Sequence, residues 1–277
     1  MIDGRAWAGF TWTICHSAMA NPDLVLSLES NGHAATELVL RGQPCYSIGI
    51  CSYRPNFTMA KPPVLEAPAF EHLVKATAGY SRMPERDVAL LFVLYGTAMA
   101  TTELATFTVS DFLKADGSVK VTSSVREGVS HNGQVRPLFW SNKRVVSALE
   151  KYLAWRVANK HGVTVKKGAY LGLDPDSPMF LTDDGQPYAL TKKKLPSGVI
   201  SYSCNTLGAL VSRLHANVGL EGFSANSARR SMAVKLHRLG YDVVHIAKIL
   251  GHKSVSTTQR LVGQDPVKLA DIVARAV

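Results

Sequence analysis

The last quarter of the chain alternates helix-favouring segments with single glycines, and this pattern restricts the possible folds more than any other feature. Residues 227–239 and 243–250 each favour a helix, and Gly240 and Gly251 follow them directly. A glycine just after a helical segment is typical of a helix end. A further helix is predicted over residues 266–276. The sequence therefore predicts a C-terminal array of short helices with fixed spacing between them.

Upstream of this array, both helices and a small sheet are predicted. Helical patterns cover residues 70–80, 84–94 and 143–157, and the last of these is strongly amphipathic. Between them, residues 119–125 and 135–139 favour strands, and the Asn132-Gly133 dipeptide favours a hairpin turn. The residues from 158 to 200 read as irregular. The predicted fold class is α+β, mostly helical with a small antiparallel sheet.

The first 65 residues differ from the rest of the chain. Residues 24–29 and 37–41 are short strand-like stretches around Ser30-Asn31-Gly32, and several prolines follow them. We interpret residues 1–65 as a small β-containing appendage with a linker, and residues 66–277 as the main domain.

The charge of the chain is concentrated in the main domain. The net charge is +10, and residues 1–65 hold four basic and four acidic side chains, so residues 66–277 carry the whole excess. Excess positive charge favours a polyanion partner, with nucleic acid first, although a merely soluble basic surface is the alternative. No apolar run is long enough for a membrane span, and the first residues do not resemble a signal peptide. We therefore expect a cytoplasmic protein without a membrane, metal or cofactor partner.

Three ordered motifs then suggest a family. They are Ala225-Asn226-Ser227-Ala228-Arg229-Arg230, Leu250-Gly251-His252-Lys253-Ser254 and Thr257-Thr258-Gln259-Arg260-Leu261. Their order and spacing resemble the active-site end of the tyrosine recombinase (phage integrase) family. Residues 91–111 and the hairpin ending Arg136-Pro137-Leu138 extend the resemblance to about residues 68–277. It implies a mostly helical catalytic domain that cuts DNA through a 3′-phosphotyrosine.

The resemblance and the chemistry of phosphate together predict a set of DNA-binding side chains. Arg229 matches the family's second arginine, and a guanidinium pairs two donors with phosphate oxygens. His252 matches a histidine that donates to the same phosphate. The alternatives are a salt-bridged arginine, a histidine that only packs at a helix end, and a lysine run on a solvated loop. The predicted phosphate-binding residues are Arg229, Arg230, His252, Lys253, Arg126, Lys192, Lys193 and Lys194.

Four positions depart from the pattern that catalysis needs. The first arginine aligns with Ala100, the hairpin lysine with Val129, the histidine before Arg229 with Asn226, and the tyrosine nucleophile with Leu261. Arg126 or His131 could substitute for the lysine. Leucine has no reactive atom, so the covalent route should be lost.

Three functions follow as hypotheses. The first is a non-catalytic DNA-binding relative, accessory or regulatory in recombination or integration of a mobile element. The second is an active recombinase with a replaced nucleophile or one supplied by a partner chain. The third is a protein-interaction module that has lost DNA binding. We expect double-stranded DNA as the partner, with a homo-oligomer or a complex with an active recombinase forming through the helix over 266–276.

Overall fold

A computed structural model of the protein describes residues 61–130, 133–165, 168–194, 198 and 200–263. Three expectations lie outside these residues: the β-containing appendage, the candidate His131 and the helix over 266–276. Within them, the fold is mostly helical with two small antiparallel sheets, which confirms the predicted class.

Three long helices build the first half of the core. They are α1 (Ala67–Tyr80), α2 (Pro84–Thr97) and α5 (Lys143–Ala158). Pro84 stands at the first turn of α2, where its missing N–H costs nothing. The middle of α2 is apolar on all sides and buried, and α5 packs against it through Leu149, Tyr152 and Leu153.

The first sheet follows two short helices, α3 (Thr101–Thr106) and α4 (Val109–Phe112). Strands β1 (Thr122–Val125) and β2 (Arg136–Phe139) pair antiparallel, with Val125 opposite Arg136. In β2, the side chains alternate strictly between buried and exposed, so Arg136 and Leu138 both point into the core. An arginine at an inward position needs internal partners.

The second sheet corrects one expectation. Lys192, Lys193 and Lys194 were expected on a loop within an irregular region, but they form strand β3 (Thr191–Lys194), which pairs with β4 (Ile200–Ser203). All four residues of β3 are exposed. Because neither face of this strand is buried, it has no apolar alternation from which it could have been predicted.

Four helices complete the described chain: α6 (Asn205–Ala216), α7 (Ala225–Arg238), α8 (Val243–Leu250) and α9 (Val255–Val262). The Asp242 side chain caps α8 by accepting from the Val244 N–H, and Gly251 ends it in the left-handed conformation, with φ 67°. Helix α9 was not predicted. No helix among the residues described combines the length and apolarity that a bilayer crossing requires.

Candidate phosphate-binding site

Two helix C-termini meet beside α7. Helix α2 ends at Ala98, which adopts the left-handed conformation with φ 53°, and α8 ends at Gly251 in the same conformation. The last carbonyls of a helix have no donor within that helix and carry partial negative charge. This junction therefore requires positively charged donors from elsewhere in the chain.

Arg136 supplies one set of donors. Its Nη1 donates to the carbonyls of Thr97 at 3.2 Å and Ile249 at 3.0 Å. Its Nη2 donates to the Ala98 carbonyl at 3.4 Å and to the Glu103 carboxylate at 2.8 Å. Its Nε is buried and has no acceptor in the described residues. Arg136 is 2% exposed, so it joins the ends of α2 and α8 from inside the protein.

Glu103 is the carboxylate of this junction. It is buried, and it accepts from the Ala100 N–H at 2.9 Å as well as from Arg136. Burial alone would raise the pKa of Glu103, but the Arg136 guanidinium and the two hydrogen bonds hold this pKa below its ordinary value. Glu103 is therefore ionised at neutral pH, and the pair with Arg136 is a buried ion pair.

Arg229 is the second arginine of this junction. From α7, its Nη1 donates to the Ala98 carbonyl at 2.6 Å and its Nη2 to the Leu250 carbonyl at 2.7 Å. Burial, followed by the nearby charge of Arg136, lowers the pKa of Arg229 to about 10, so the guanidinium stays charged at neutral pH. Arg229 is half-buried, and its other three N–H groups have no acceptor among the described residues.

His252 follows Gly251 directly and is half-buried. Its Nδ1 lies 2.7 Å from the hydroxyl of Thr258, which is fully buried. Burial, then the charges of Arg229 and Arg136, lower the pKa of His252 to about 4. The ring is therefore neutral at neutral pH; Nδ1 is paired with Thr258, and Nε2 has no hydrogen-bond partner among the described residues.

The other predicted cations do not all join this site. Arg230 donates to the carbonyls of Leu261 at 3.2 Å and Pro62 at 2.6 Å, so it ties α7 to the end of α9 and to the segment before α1. Lys253 is exposed next to His252. Arg126 pairs with Asp111 at 2.8 Å beside the first sheet. Lys192, Lys193 and Lys194 lie on the separate β3–β4 ribbon.

The four positions that the sequence resemblance aligns with absent catalytic residues lie in different surroundings. Ala100 is half-buried just before α3, and Asn226 is exposed in the first turn of α7. Val129 sits in a turn after β1 and packs on the main core. Leu261 is half-buried in α9 and packs on a small cluster formed by Ala98, Ala233, Ile246, Leu250 and Val262.

Sequence reasoning missed Arg136 and Glu103 as site residues. A signal for Arg136 was present: it stands two residues before Leu138 in a predicted strand, so it faces the core with that leucine. A buried arginine in turn predicts a buried carboxylate. Among the described residues, no group of His, Cys, Asp and Glu side chains could hold a metal ion.

The sequence model of the phage integrase family matches residues 63–265, which is most of the chain. The chain belongs to the phage integrase family. It is 25% identical over 222 residues to the tyrosine recombinase XerD of Halalkalibacterium halodurans, covering 79% of this chain and 63% of that one. It is 28% identical over 192 residues to the tyrosine recombinase XerC of Agrobacterium fabrum, covering 69% and 50%. The chain thus spans between half and two thirds of these relatives.

Solved structures show the same phage integrase fold. The XerA recombinase superposes with a TM-score of 0.56 at 20% identity, covering 78% of this chain and 65% of that one. The XerH site-specific recombinase, bound to palindromic difH substrate in a post-cleavage complex, superposes with a TM-score of 0.53 at 18% identity, covering 77% and 53%. At these identities the likeness establishes the fold.

Proposed function

We propose that this chain binds double-stranded DNA through its phosphate backbone and does not cut it, as an accessory or regulatory member of the phage integrase family. It would act in recombination or integration of a mobile element. One observation carries the proposal: the Arg229 guanidinium is fixed by the Ala98 and Leu250 carbonyls, and it keeps three N–H donors without a protein acceptor in the described residues.

The chemistry of this guanidinium fits a phosphate. Two hydrogen bonds already fix the plane of Arg229, so little side-chain entropy is lost when an oxyanion binds. Two of the free N–H groups can bind two phosphate oxygens side by side. The neutral His252, with Nδ1 held by Thr258, can donate from Nε2 to the same anion. Lys253 adds a mobile charge nearby.

Two observations support the absence of cutting. By the motif spacing Leu261 aligns with the family's tyrosine nucleophile, and its side chain packs on the apolar cluster beside α8. Ala100 and Asn226 offer neither the guanidinium nor the imidazole that the family pattern has at these positions. A phosphotyrosine route needs a nucleophile together with preorganised donors around the phosphate, and here several of these parts are missing at once.

The relatives support DNA as the partner. The XerH recombinase was solved bound to difH substrate, and the Tn1549 transposon integrase was solved with transposon right end DNA. This chain spans only part of the length of such proteins, and the proposal concerns the contact of its described residues with one stretch of duplex.

The binding test uses fluorescence anisotropy with a labelled duplex over a range of salt concentrations. Binding should be measurable at low salt and should weaken steeply as salt rises, because phosphate contacts release counterions. A native chain that binds no duplex at low salt contradicts the proposal.

The cleavage test uses a nicked suicide substrate, which traps a covalent protein–DNA adduct. We expect no adduct from the native chain, alone or with an active recombinase. We also expect none from Leu261→Tyr, because a tyrosine alone does not replace the missing groups at positions 100 and 226. An adduct with the native chain would establish an active recombinase instead.

Assembly through residues 266–276 remains part of the proposal. Deleting residues 265–277 should convert any oligomer measured by light scattering to a monomer. An oligomer that survives the deletion uses another surface.

A further inference from the structure

Arg136 has contacts that the family resemblance does not assign. We propose that Arg136 is a positioning residue: it neutralises Glu103 and thereby keeps the Arg229 guanidinium available for a DNA phosphate. The inference rests on the proposed DNA binding and adds a residue that acts on Arg229 through Glu103.

Glu103 is the competitor in this argument. Its carboxylate is 3% exposed, and its charge acts on Arg229 as well as on Arg136. A carboxylate and a phosphate accept from a guanidinium in the same bidentate way. Without the positive charge of Arg136, the Glu103 carboxylate would therefore attract Arg229 more strongly and compete with a phosphate for its guanidinium.

Arg136 removes this competition. Its Nη2 lies 2.8 Å from Glu103 Oε2, whereas among the described residues the side-chain hydrogen bonds of Arg229 go only to the carbonyls of Ala98 and Leu250. The division of partners is clear: the fully buried guanidinium takes the carboxylate, and the half-buried guanidinium takes neutral acceptors. The less buried guanidinium is thus the one that has no carboxylate acceptor among the described residues.

The two guanidiniums are also close to each other. Both donate to the Ala98 carbonyl, Arg136 from Nη2 at 3.4 Å and Arg229 from Nη1 at 2.6 Å. With one carboxylate for two cations, the junction carries a net positive charge inside a region of reduced dielectric. Such a charge favours an added anion at the more exposed guanidinium.

The residue at position 100 bears on why the cationic partner of Glu103 comes from β2. Ala100 stands where the resemblance places the family's first arginine, and its N–H also donates to Glu103. With alanine there, no side chain from α3 can neutralise Glu103, and Arg136 reaches it from the neighbouring strand instead.

The experiment compares Arg136→Met, Arg136→Lys and the double variant Arg136→Met/Glu103→Gln. Arg86→Met is the matched control, because Arg86 is also a buried, ion-paired arginine but contacts Asp87 and Asp183 instead of this junction. Duplex affinity is measured by anisotropy at low salt. The pKa of His252 is measured by NMR in the absence of DNA.

Arg136→Met should weaken duplex binding about tenfold or more, since it takes the Arg136 charge away from Glu103, whose own charge acts on Arg229. The double variant removes the competitor too, so its affinity should return to within about threefold of native. Arg136→Lys keeps the charge and should stay close to native. Arg86→Met should leave affinity unchanged. A double variant that folds but binds as weakly as Arg136→Met overturns the inference, because only the lost carbonyl contacts would then matter.

The His252 pKa separates this inference from DNA binding itself. It should rise in Arg136→Met, where a positive charge is lost and a negative one is exposed, and should fall back in the double variant. The same pKa in both variants contradicts the inference even if the native chain binds no DNA. If Arg136→Met does not fold, the double variant and Arg136→Lys decide: both should fold and bind within about threefold of native, and weaker binding by the double variant alone contradicts the inference.

Discussion

The Arg229 junction and the β3–β4 ribbon are both cationic, but they hold their charges in opposite ways. At the junction, helix-end carbonyls fix each guanidinium within hydrogen-bond distance. On the ribbon, every residue of β3 is exposed, and its lysines extend into solvent. A fixed guanidinium loses little entropy on binding, whereas a free lysine loses rotamer freedom. The junction should therefore position a phosphate, and the ribbon should add salt-sensitive attraction.

The ribbon itself has two different faces. The register sets Lys192 opposite Tyr202 and Lys194 opposite Ile200, so these four side chains share one face. Lys193 lies on the other face, opposite Ser201. Tyr202 is 47% exposed and Ile200 is 45% exposed, which makes the first face both cationic and apolar.

The largest effect on DNA binding is expected from Arg229→Met. It removes the fixed guanidinium and its hydrogen bonds to the Ala98 and Leu250 carbonyls, so affinity should fall by about a hundredfold. Arg229→Lys keeps the charge without the planar guanidinium, so its duplex affinity should lie between those of the native chain and Arg229→Met. Arg144→Gln is the control, because Arg144 is an exposed arginine paired with Glu71. Anisotropy at one salt concentration measures all three, and equal losses for Arg229→Met and Arg144→Gln would contradict a special role for the junction.

A smaller effect separates the two faces of the ribbon. If the Tyr202 face contacts DNA, Lys192→Gln should reduce the slope of log affinity against log salt by about 0.9, the value for one phosphate contact. Lys193→Gln removes the same charge from the opposite face and should leave the slope unchanged. Equal changes in both variants would mean that the ribbon acts only through its overall charge.

The smallest effect at neutral pH concerns His252. Its pKa of about 4 in the folded protein lies below the ordinary 6.5. The unfolded chain therefore binds a proton more readily between these values, and the free energy of unfolding should fall as pH drops from about 6.5 towards 4. His252→Gln should lose this part of the pH dependence in chemical unfolding, although His215, whose pKa burial also lowers, retains its own share.

Bound DNA should change the pKa of His252. A bound phosphate places negative charge beside His252 and raises its pKa, so duplex affinity should increase as pH falls towards the free protein's value of about 4. The ribbon has no histidine, and Lys192→Gln should keep the same pH dependence. A duplex affinity that does not rise between neutral pH and about 4 would contradict a bound phosphate charge beside His252.

Much of the fold could be predicted because local signals agree with it. Residues 243–250 form α8 at the predicted bounds, and the helix after Pro84 and the strands around Asn132-Gly133 were also expected. The ribbon was missed because neither of its strands contains a buried residue, so neither shows an apolar alternation. Helix α9 has only eight residues, and much of its sequence is polar.

The candidate site was less predictable for a different reason. The motif spacing pointed to Arg229 and His252, which the fold does bring to one junction. The partners of Arg229 are the backbone carbonyls of Ala98 and Leu250. Every residue has such a carbonyl, so the sequence does not indicate which ones accept from Arg229. Arg136 belongs to the hairpin motif that ends Arg136-Pro137-Leu138, but its role at the site depends on its contact with Glu103, which lies 33 positions away in the chain.

The hydrogen bonds from Arg229 and Arg136 to helix-end carbonyls also affect how the protein folds and opens. Arg229 reaches Ala98 across 131 positions of the chain, and Arg136 reaches Ile249 across 113. Contacts of such long range form late, because the intervening loops must close first. The junction should therefore be among the last parts to assemble and should be lost when α7–α9 separate from α2. Amide hydrogen exchange at the end of α8 would then report on this sub-global opening.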